Sequence, residues 1–101
     1  MKEIKAIIQP FMLIPVLHAL NQLPNLPGVS VSDVRCMDAA HGSSQPDNNI
    51  KIELMVPDEM VDRVLDAIQN HAHTGRAGDG SIFVIDIQKT VRIRTGEHNN
   101  S

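Results

Sequence analysis

The hydrophobic pattern changes period repeatedly along this chain, and the order of those changes limits the fold more than any other feature. Residues 2–9 alternate loosely between apolar and polar side chains and stop at a proline, which predicts a strand. A helical period covers residues 13–23, where Pro15 is tolerated because it lies in the first turn. A second helical period begins at residues 57–58, with Asp58 expected to cap the helix.

Strand-like patterns lie between the two helices and after the second one. They cover residues 29–37, 50–56 and 82–87, and the last is so continuously apolar that we expect it to be buried on both faces. A shorter strand is expected over residues 91–94. Residues 38–49, between the second and third strands, are polar, which predicts a loop.

The resulting order is βαββαβ with one short added strand, which is the order of an α+β ferredoxin-like sandwich. We expect a single domain over residues 1–96, an antiparallel sheet with both helices on one face, and a flexible tail over residues 97–101. The opposite sheet face is expected to be bare and apolar. Since a monomer would leave that face in contact with water, the pattern predicts self-association.

The amino-acid composition of the chain argues against several classes of function. Nine Lys and Arg stand against twelve Asp and Glu, and there are two Phe with no Trp or Tyr, which argues against a nucleic-acid partner. Cys36 is the only cysteine, so no intrachain disulfide can form. The apolar runs are too short for a membrane span or a signal peptide, so we expect a cytoplasmic protein without direct membrane insertion.

Two segments could bind a phosphate group. Residues 74–80 (TGRAGDG) hold three glycines whose backbone amides can form an anion-binding nest, although a plain helix-to-strand turn also explains them. Arg92 and Arg94 are two residues apart on the expected last strand, which would place both guanidinium groups on one face. There they would either bind phosphate or act as charges on a solvated edge strand.

Other candidate chemistry is less specific. Cys36, Asp38 and His41 could contribute to a metal site, but their spacing matches no strong zinc pattern and ordinary strand and loop roles explain them better. Glu53 lies in mid-strand, where an ion pair explains a buried carboxylate better than a water-activating base does. The sequence suggests neither a Ser-His-Asp triad nor paired catalytic carboxylates, so we expect no enzyme.

Several segments together resemble the PII signal-transduction family, namely IKAIIQPF, KIEL, VPDEMVD, TGRAGDGSIFV and VRIRTGE. The resemblance covers essentially the whole chain except the middle loop. It implies a homotrimeric regulatory protein that holds an adenine nucleotide in clefts between its subunits. It also implies a protein partner, which would be a transporter or an enzyme.

The resemblance assigns residues to the nucleotide site. The backbone of the glycine loop would hold the phosphates, and the two arginines would reach the cleft from the neighbouring subunit. Three residues from the strands would line the adenine pocket, namely Ile7, Ser30 and Met55. The full implied set is Ile7, Ser30, Met55, Thr74, Arg76, Gly78, Asp79, Gly80, Ser81, Arg92 and Arg94.

Departures from the family pattern bear on the ligand. The loop over residues 38–49 is shorter than in typical members, and the family's arginine–glutamine pair and lysine appear there as Ala39, Ala40 and Asn49. The lysine that would end the glycine loop is Ser81. Because these losses remove groups that hold magnesium and 2-oxoglutarate, we expect ADP or AMP in preference to ATP. Bicarbonate is a physically reasonable second ligand for the same amides and arginines.

Three alternatives stay open from the sequence. The first is a metal-binding PII-like protein associated with metal homeostasis, which metal-dependent stabilisation lost in Cys36→Ala would identify. The second is a weak nucleotide hydrolase, and the third is a structural trimer with a vestigial cleft.

Overall fold

The computed structural model of this chain describes residues 1–37 and 47–100. Short 3₁₀ turns precede both helices. The elements in chain order are β1 (Lys2–Ile8), a 3₁₀ turn (Pro10–Met12), α1 (Leu13–Asn21), β2 (Ser30–Cys36), β3 (Asp47–Val56), a 3₁₀ turn (Asp58–Met60), α2 (Val61–Ala72), β4 (Gly80–Asp86), β5 (Lys89–Val91) and β6 (His98–Asn100). No helix in the described ranges is long and apolar enough to cross a bilayer.

The main sheet has the strand order β2-β3-β1-β4, and every neighbouring pair is antiparallel. Strands β1 and β3 are therefore central, and each helix connects a central strand to an outer one. This is the split βαβ arrangement, and the predicted α+β ferredoxin-like fold is confirmed.

The core lies between the two helices and one face of the sheet. Alternate residues of β1 point into it, so that Ile4, Ala6 and Ile8 are buried while the residues between them are half-exposed. Residues at helical spacing complete the core from α1 and α2: Val16, Ala19, Leu20, Val64, Ile68 and Ala72.

The opposite face of the sheet is mixed in character, so the expectation of an apolar face is wrong. Lys5 stands directly across from Glu53 on the central strands, and Glu3 and Lys51 lie one step along the same face. The Lys51 ammonium lies 3.4 Å from the Glu53 carboxylate, and the Lys5 ammonium lies 3.9 Å from that of Glu3. An ion pair for Glu53 agrees with the interpretation favoured from the sequence. Apolar side chains surround these charges: Ile7, Met55, Phe83 and Ile85.

Strand β4 is far more exposed than its apolar sequence predicts. Phe83, Val84 and Ile85 are 50%, 44% and 41% exposed, so burial on both faces is wrong for the single chain. Strand β4 is exposed because it pairs with β1 on one side and forms an edge of the sheet on the other. An exposed apolar edge strand is a surface that proteins usually cover.

The last strand also differs from expectation. Lys89–Val91 and His98–Asn100 pair as an antiparallel hairpin, so a strand replaces most of the expected tail, and Arg92 and Arg94 lie in the connecting turn rather than on a strand. The Arg92 amide donates to the Glu97 carbonyl (2.9 Å), and the Gly96 amide donates to the Arg92 carbonyl (2.7 Å). The RTGE segment therefore reverses the chain, which the sequence interpretation missed.

Several element boundaries are shifted. Helix α1 ends at Asn21, two residues before the predicted end. Strand β3 begins at Asp47 instead of residue 50, because residues 47–49 continue the pairing with β2. The predicted loop over residues 38–49 thus has its last part in a strand, and residues 38–46 lie outside the described ranges.

Asp58 does not cap α2, which corrects the sequence prediction. A 3₁₀ turn separates it from the helix, which begins at Val61 without a side-chain cap. The Asp58 carboxylate instead accepts a 2.7 Å hydrogen bond from the Met1 ammonium and lies 3.6 Å from the Lys2 ammonium. Because two cations from the start of β1 approach it, the carboxylate pairs with them rather than with helix amides.

Candidate functional site

The glycine loop, residues 74–80, leads from the end of α2 into β4 and is braced from within. The Asp79 carboxylate accepts hydrogen bonds from the Thr74 amide (2.8 Å) and the Gly75 amide (3.0 Å), and from the Thr74 hydroxyl. The Thr74 hydroxyl oxygen in turn accepts a 3.2 Å bond from the Arg76 amide. The loop therefore has a defined shape before any ligand binds.

The same contacts set the charge of the loop. Hydrogen bonds from the Thr74 hydroxyl and amide, and then from the Gly75 amide, hold the pKa of Asp79 below its ordinary value, with a smaller contribution from His73. The His73 ring nitrogen lies 3.7 Å from that carboxylate. Asp79 is thus ionised at neutral pH, and its charge is directed to the loop's own amides.

Gly78 and Gly80 place the loop against the end of β1. Both adopt positive φ angles, 93° and 108°, which other residues rarely adopt. Gly80 pairs with Ile8 in the sheet and also contacts the carbonyl of Ile7 so closely that no side chain would fit. The backbone of the loop therefore forms a wall beside Ile7.

A side chain just after the end of β1 completes this attachment. The Gln9 side-chain amide donates a 3.0 Å hydrogen bond to the Gly78 carbonyl. The Gln9 backbone is itself fixed, because its carbonyl accepts the Met12 amide (2.9 Å) in the turn that follows. In the sequence, Gln9 marks only the end of a predicted strand, and no local pattern identifies it as a partner of the glycine loop.

A cleft of about 510 Å³ lies between the glycine loop and the adjoining ends of the strands. It brings together four residues of the predicted site: Ile7, Gly78, Gly80 and Ser81. The remaining lining is Gln9, Pro10, Phe11, Cys36, Asp47, Asn48, Asn49 and Phe83. Within the described lining, Asp47 is the one charged residue, so this chain supplies the cleft with amides and apolar surface rather than cations.

The predicted adenine residues do not all meet in this cleft. Ser30 and Met55 line a smaller recess of about 200 Å³ farther along the open sheet face, beside Glu3 and Glu53. Ile7 belongs to the main cleft instead. In one chain, therefore, the three side chains are divided between two depressions of the same face.

The predicted arginines lie apart from the main cleft of their own chain. Arg92 lines a recess of the β5–β6 hairpin together with Met1 and Glu97, and Arg94 is exposed in the hairpin turn. Arg76 is exposed in the glycine loop. A single chain thus brings none of these guanidinium groups into the lining of the cleft.

The metal candidates are not assembled by the described residues. Cys36 is half-buried at the end of β2, whereas Asp38 and His41 lie outside the described ranges. Among residues 1–37 and 47–100, no group of three or more His, Cys, Asp or Glu side chains is arranged to hold a metal ion.

Comparison with known proteins places the chain in a family. Residues 1–97 match the family model described as nitrogen regulatory protein P-II. Relatives of that name from Azospirillum brasilense and Rhodospirillum rubrum are 39% and 40% identical, with 96% of this chain and 95% of each relative covered. Nitrogen regulatory protein P-II 1 of Escherichia coli (strain K12) is 38% identical over 111 positions, covering 100% of this chain and 98% of the relative. Because the matches span the fold and the cleft alike, the chain belongs to the nitrogen regulatory protein P-II family.

Proposed function

We propose that this regulatory protein senses adenine nucleotides in clefts between the subunits of a cytoplasmic homotrimer, with ADP or AMP favoured over ATP. A small anion such as bicarbonate would join the nucleotide, and occupancy would control a partner transporter or enzyme. A ligand can act as such a switch only by binding one conformation of the partner-binding surface better than another.

One observation carries the proposal, namely the braced glycine loop that forms a wall of the 510 Å³ cleft. Asp79 fixes the start of the loop, and the positive φ angles of Gly78 and Gly80 set its end against β1. The Thr74 and Gly75 amides already donate to Asp79, so the donors offered to a phosphate would be later amides of the loop, which this bracing would hold in place before the phosphate arrives.

The exposed surface of β4 supports the trimer. Phe83 and Ile85 lie on the open sheet face beside half-exposed ion pairs, and a second copy could cover them. The two arginines of the hairpin are exposed and are absent from the described lining of their own chain's cleft, which leaves them available to a neighbour. Each cleft would then receive its cations from an adjacent subunit.

The charge of the cleft supports ADP or AMP. Its described lining holds the Asp47 carboxylate and the neutral Ser81 and Asn49, with no lysine or arginine of this chain. Each additional phosphate would therefore depend on the neighbour's arginines and would be repelled by Asp47. A ligand with fewer phosphates needs less neutralisation.

Isothermal titration calorimetry with ATP, ADP, AMP and cyclic AMP, each with and without bicarbonate, tests the proposal directly. We expect ADP or AMP to bind most tightly. Arg92→Ala should weaken binding by roughly tenfold or more, since hydrogen bonds to charged groups contribute about 1.5–3 kcal/mol. Arg63→Ala, which removes the same charge from an exposed position on α2, is the matched control and should bind as the wild type does.

Two results would contradict the proposal. Absence of heat and of thermal stabilisation with every adenylate at millimolar concentration would exclude the nucleotide. A molar mass of one chain by light scattering would exclude the shared cleft.

A further inference from the structure

We propose that Gln9 is a positioning residue that holds the glycine loop in its phosphate-binding shape. The inference rests on the proposed function for its ligand, but the hold on the loop can be tested without any ligand. The contact that carries it is the 3.0 Å hydrogen bond from the Gln9 side-chain amide to the Gly78 carbonyl.

Gly78 is the point at which the loop most needs an external contact. The Asp79 carboxylate bonds to Thr74 and Gly75 and thereby fixes the beginning of the loop. Gly78 has a φ angle of 93° and no side chain. Because glycine is conformationally free, it does not by itself fix the orientation of the peptide unit that follows it. The Gln9 hydrogen bond supplies that restraint from β1.

The orientation of the peptide unit between Gly78 and Asp79 determines whether its carbonyl or its N–H group faces a bound anion. The Gly78 carbonyl and the Asp79 amide lie in one plane, so a partner that fixes the oxygen also fixes the direction of the N–H group. A carbonyl that accepts a hydrogen bond from Gln9 also exposes less of its negative partial charge at the cleft wall. Since the C=O and N–H groups of a trans peptide point in opposite directions, the bond from Gln9 fixes the Asp79 amide pointing away from Gln9 and partly neutralises a carbonyl that would repel a phosphate.

Gln9 is well placed for this role because its backbone is rigid. Its carbonyl accepts the Met12 amide, and Pro10 follows it with a fixed φ angle. The side chain therefore reaches the loop from a fixed base and lines the same cleft as Gly78, Gly80 and Ser81. An attachment of this kind connects the end of the first strand to a loop distant in sequence.

Three variants separate the hydrogen bond from the size of the side chain. Gln9→Met keeps the length but removes the donor, Gln9→Glu keeps the shape but offers only acceptors, and Gln9→Lys keeps a donor. We expect ADP or AMP to bind about three- to tenfold more weakly to the Met variant, as for loss of a single hydrogen bond, and at least as weakly to the Glu variant. The Lys variant should bind within about twofold of the wild type or more tightly.

Hydrogen exchange of the nucleotide-free protein distinguishes a local restraint on the glycine loop from a general contribution of Gln9 to stability. Amides of residues 75–81 should exchange faster in the Met and Glu variants and return toward the wild-type rate in the Lys variant, while the melting temperature of the free protein stays unchanged. Gln22→Ala, at the exposed end of α1, is the control and should alter neither measurement.

The outcomes distinguish this inference from the proposed function. Unchanged exchange in residues 75–81 of the Met variant would overturn the role of Gln9, as would unchanged nucleotide affinity in the Glu variant. If the wild-type protein binds no adenylate, the proposed function fails, while the exchange comparison still decides whether Gln9 holds the loop.

Discussion

A Cβ atom on Gly80 would lie 1.8 Å from the carbonyl oxygen of Ile7. The contact is between backbone atoms of β4 and β1, so neither side can move away without disturbing the strand pairing that runs from Ile8↔Gly80 to Lys2↔Asp86. The end of the glycine loop is therefore part of the sheet as well as part of the cleft. Changes at this point should therefore act on stability and on the proposed ligand binding together.

Gly80→Ala should be strongly destabilising for that reason. The positive φ angle of 108° and the steric overlap together predict a loss of about 2–5 kcal/mol in the free energy of unfolding. Urea denaturation followed by circular dichroism measures it. Gly28→Ala is the matched control, because a Cβ there meets no atom within 4 Å, and it should change stability by no more than about 0.5 kcal/mol. Equal stability of the two variants would contradict the close approach.

Asp79→Asn should change how stability depends on pH. The hydrogen bonds from Thr74 and Gly75 lower the pKa of Asp79 in the folded state, so its contribution is present above the ordinary carboxyl pKa of about 3.9 and is lost as pH falls through the lower folded value. The variant should therefore melt below the wild type at pH 6–7, and the difference should shrink toward pH 3. Asp66→Asn, an exposed change on α2, is the control for the loss of one carboxylate. A difference that stays constant with pH would rule out this linkage.

Lys2 joins two carboxylates at the beginning of β1, and its removal should give a salt-sensitive loss of stability. Its ammonium lies 2.9 Å from Asp86 and 3.6 Å from Asp58, and the hydrogen bond to Asp86 is the main cause of its raised pKa. The stabilisation is thus present below the ordinary lysine pKa of about 10.4 and is lost as pH rises through the folded value. Lys2→Met should lower the melting temperature slightly in low salt, and the difference should vanish near 1 M salt. A loss that persists in high salt would point to packing of the stem instead.

Ile85→Lys should separate the subunits of the proposed trimer while leaving each one folded. Ile85 stands opposite Glu3 on the open sheet face, so the new cation has a carboxylate beside it in the single chain. In a trimer that buries this face, the ammonium would have to leave water, which is costly even when it is paired. Light scattering should report a mass near one chain instead of three. Ile14→Lys, at a 72% exposed position on α1, should keep the trimer. A trimeric Ile85→Lys protein would place the interface elsewhere.

The hydrophobic periods of the sequence were sufficient to predict a strand or helix wherever that element packs against the core of its own chain. The alternation through Ile4, Ala6 and Ile8 and the helical period through Val64 and Ile68 reflect burial against the same core, so the fold was predictable. The charged open face is also encoded locally, since Lys51 and Glu53 alternate with buried residues of β3.

Features that depend on distant or external partners were not predictable in this way. The apolar sequence of β4 suggests burial, whereas its position at the edge depends on the order of the strands. The spacing of two residues between Arg92 and Arg94 is compatible with a strand or with a turn. The Thr95–Gly96 pair that follows favours the turn. The hydrogen bond from Gln9 to Gly78 spans 69 positions in the sequence, which no periodicity can reveal.

The β5–β6 hairpin shares no strand with the four-stranded sheet. Two strands alone have little stability of their own, so this hairpin should open on its own at a small fraction of the free energy needed to melt the sheet. Substitutions around Arg92 can therefore accumulate with little cost to folding. Constraints on the sequence of the hairpin would then come from what the hairpin contacts rather than from the stability of the scaffold.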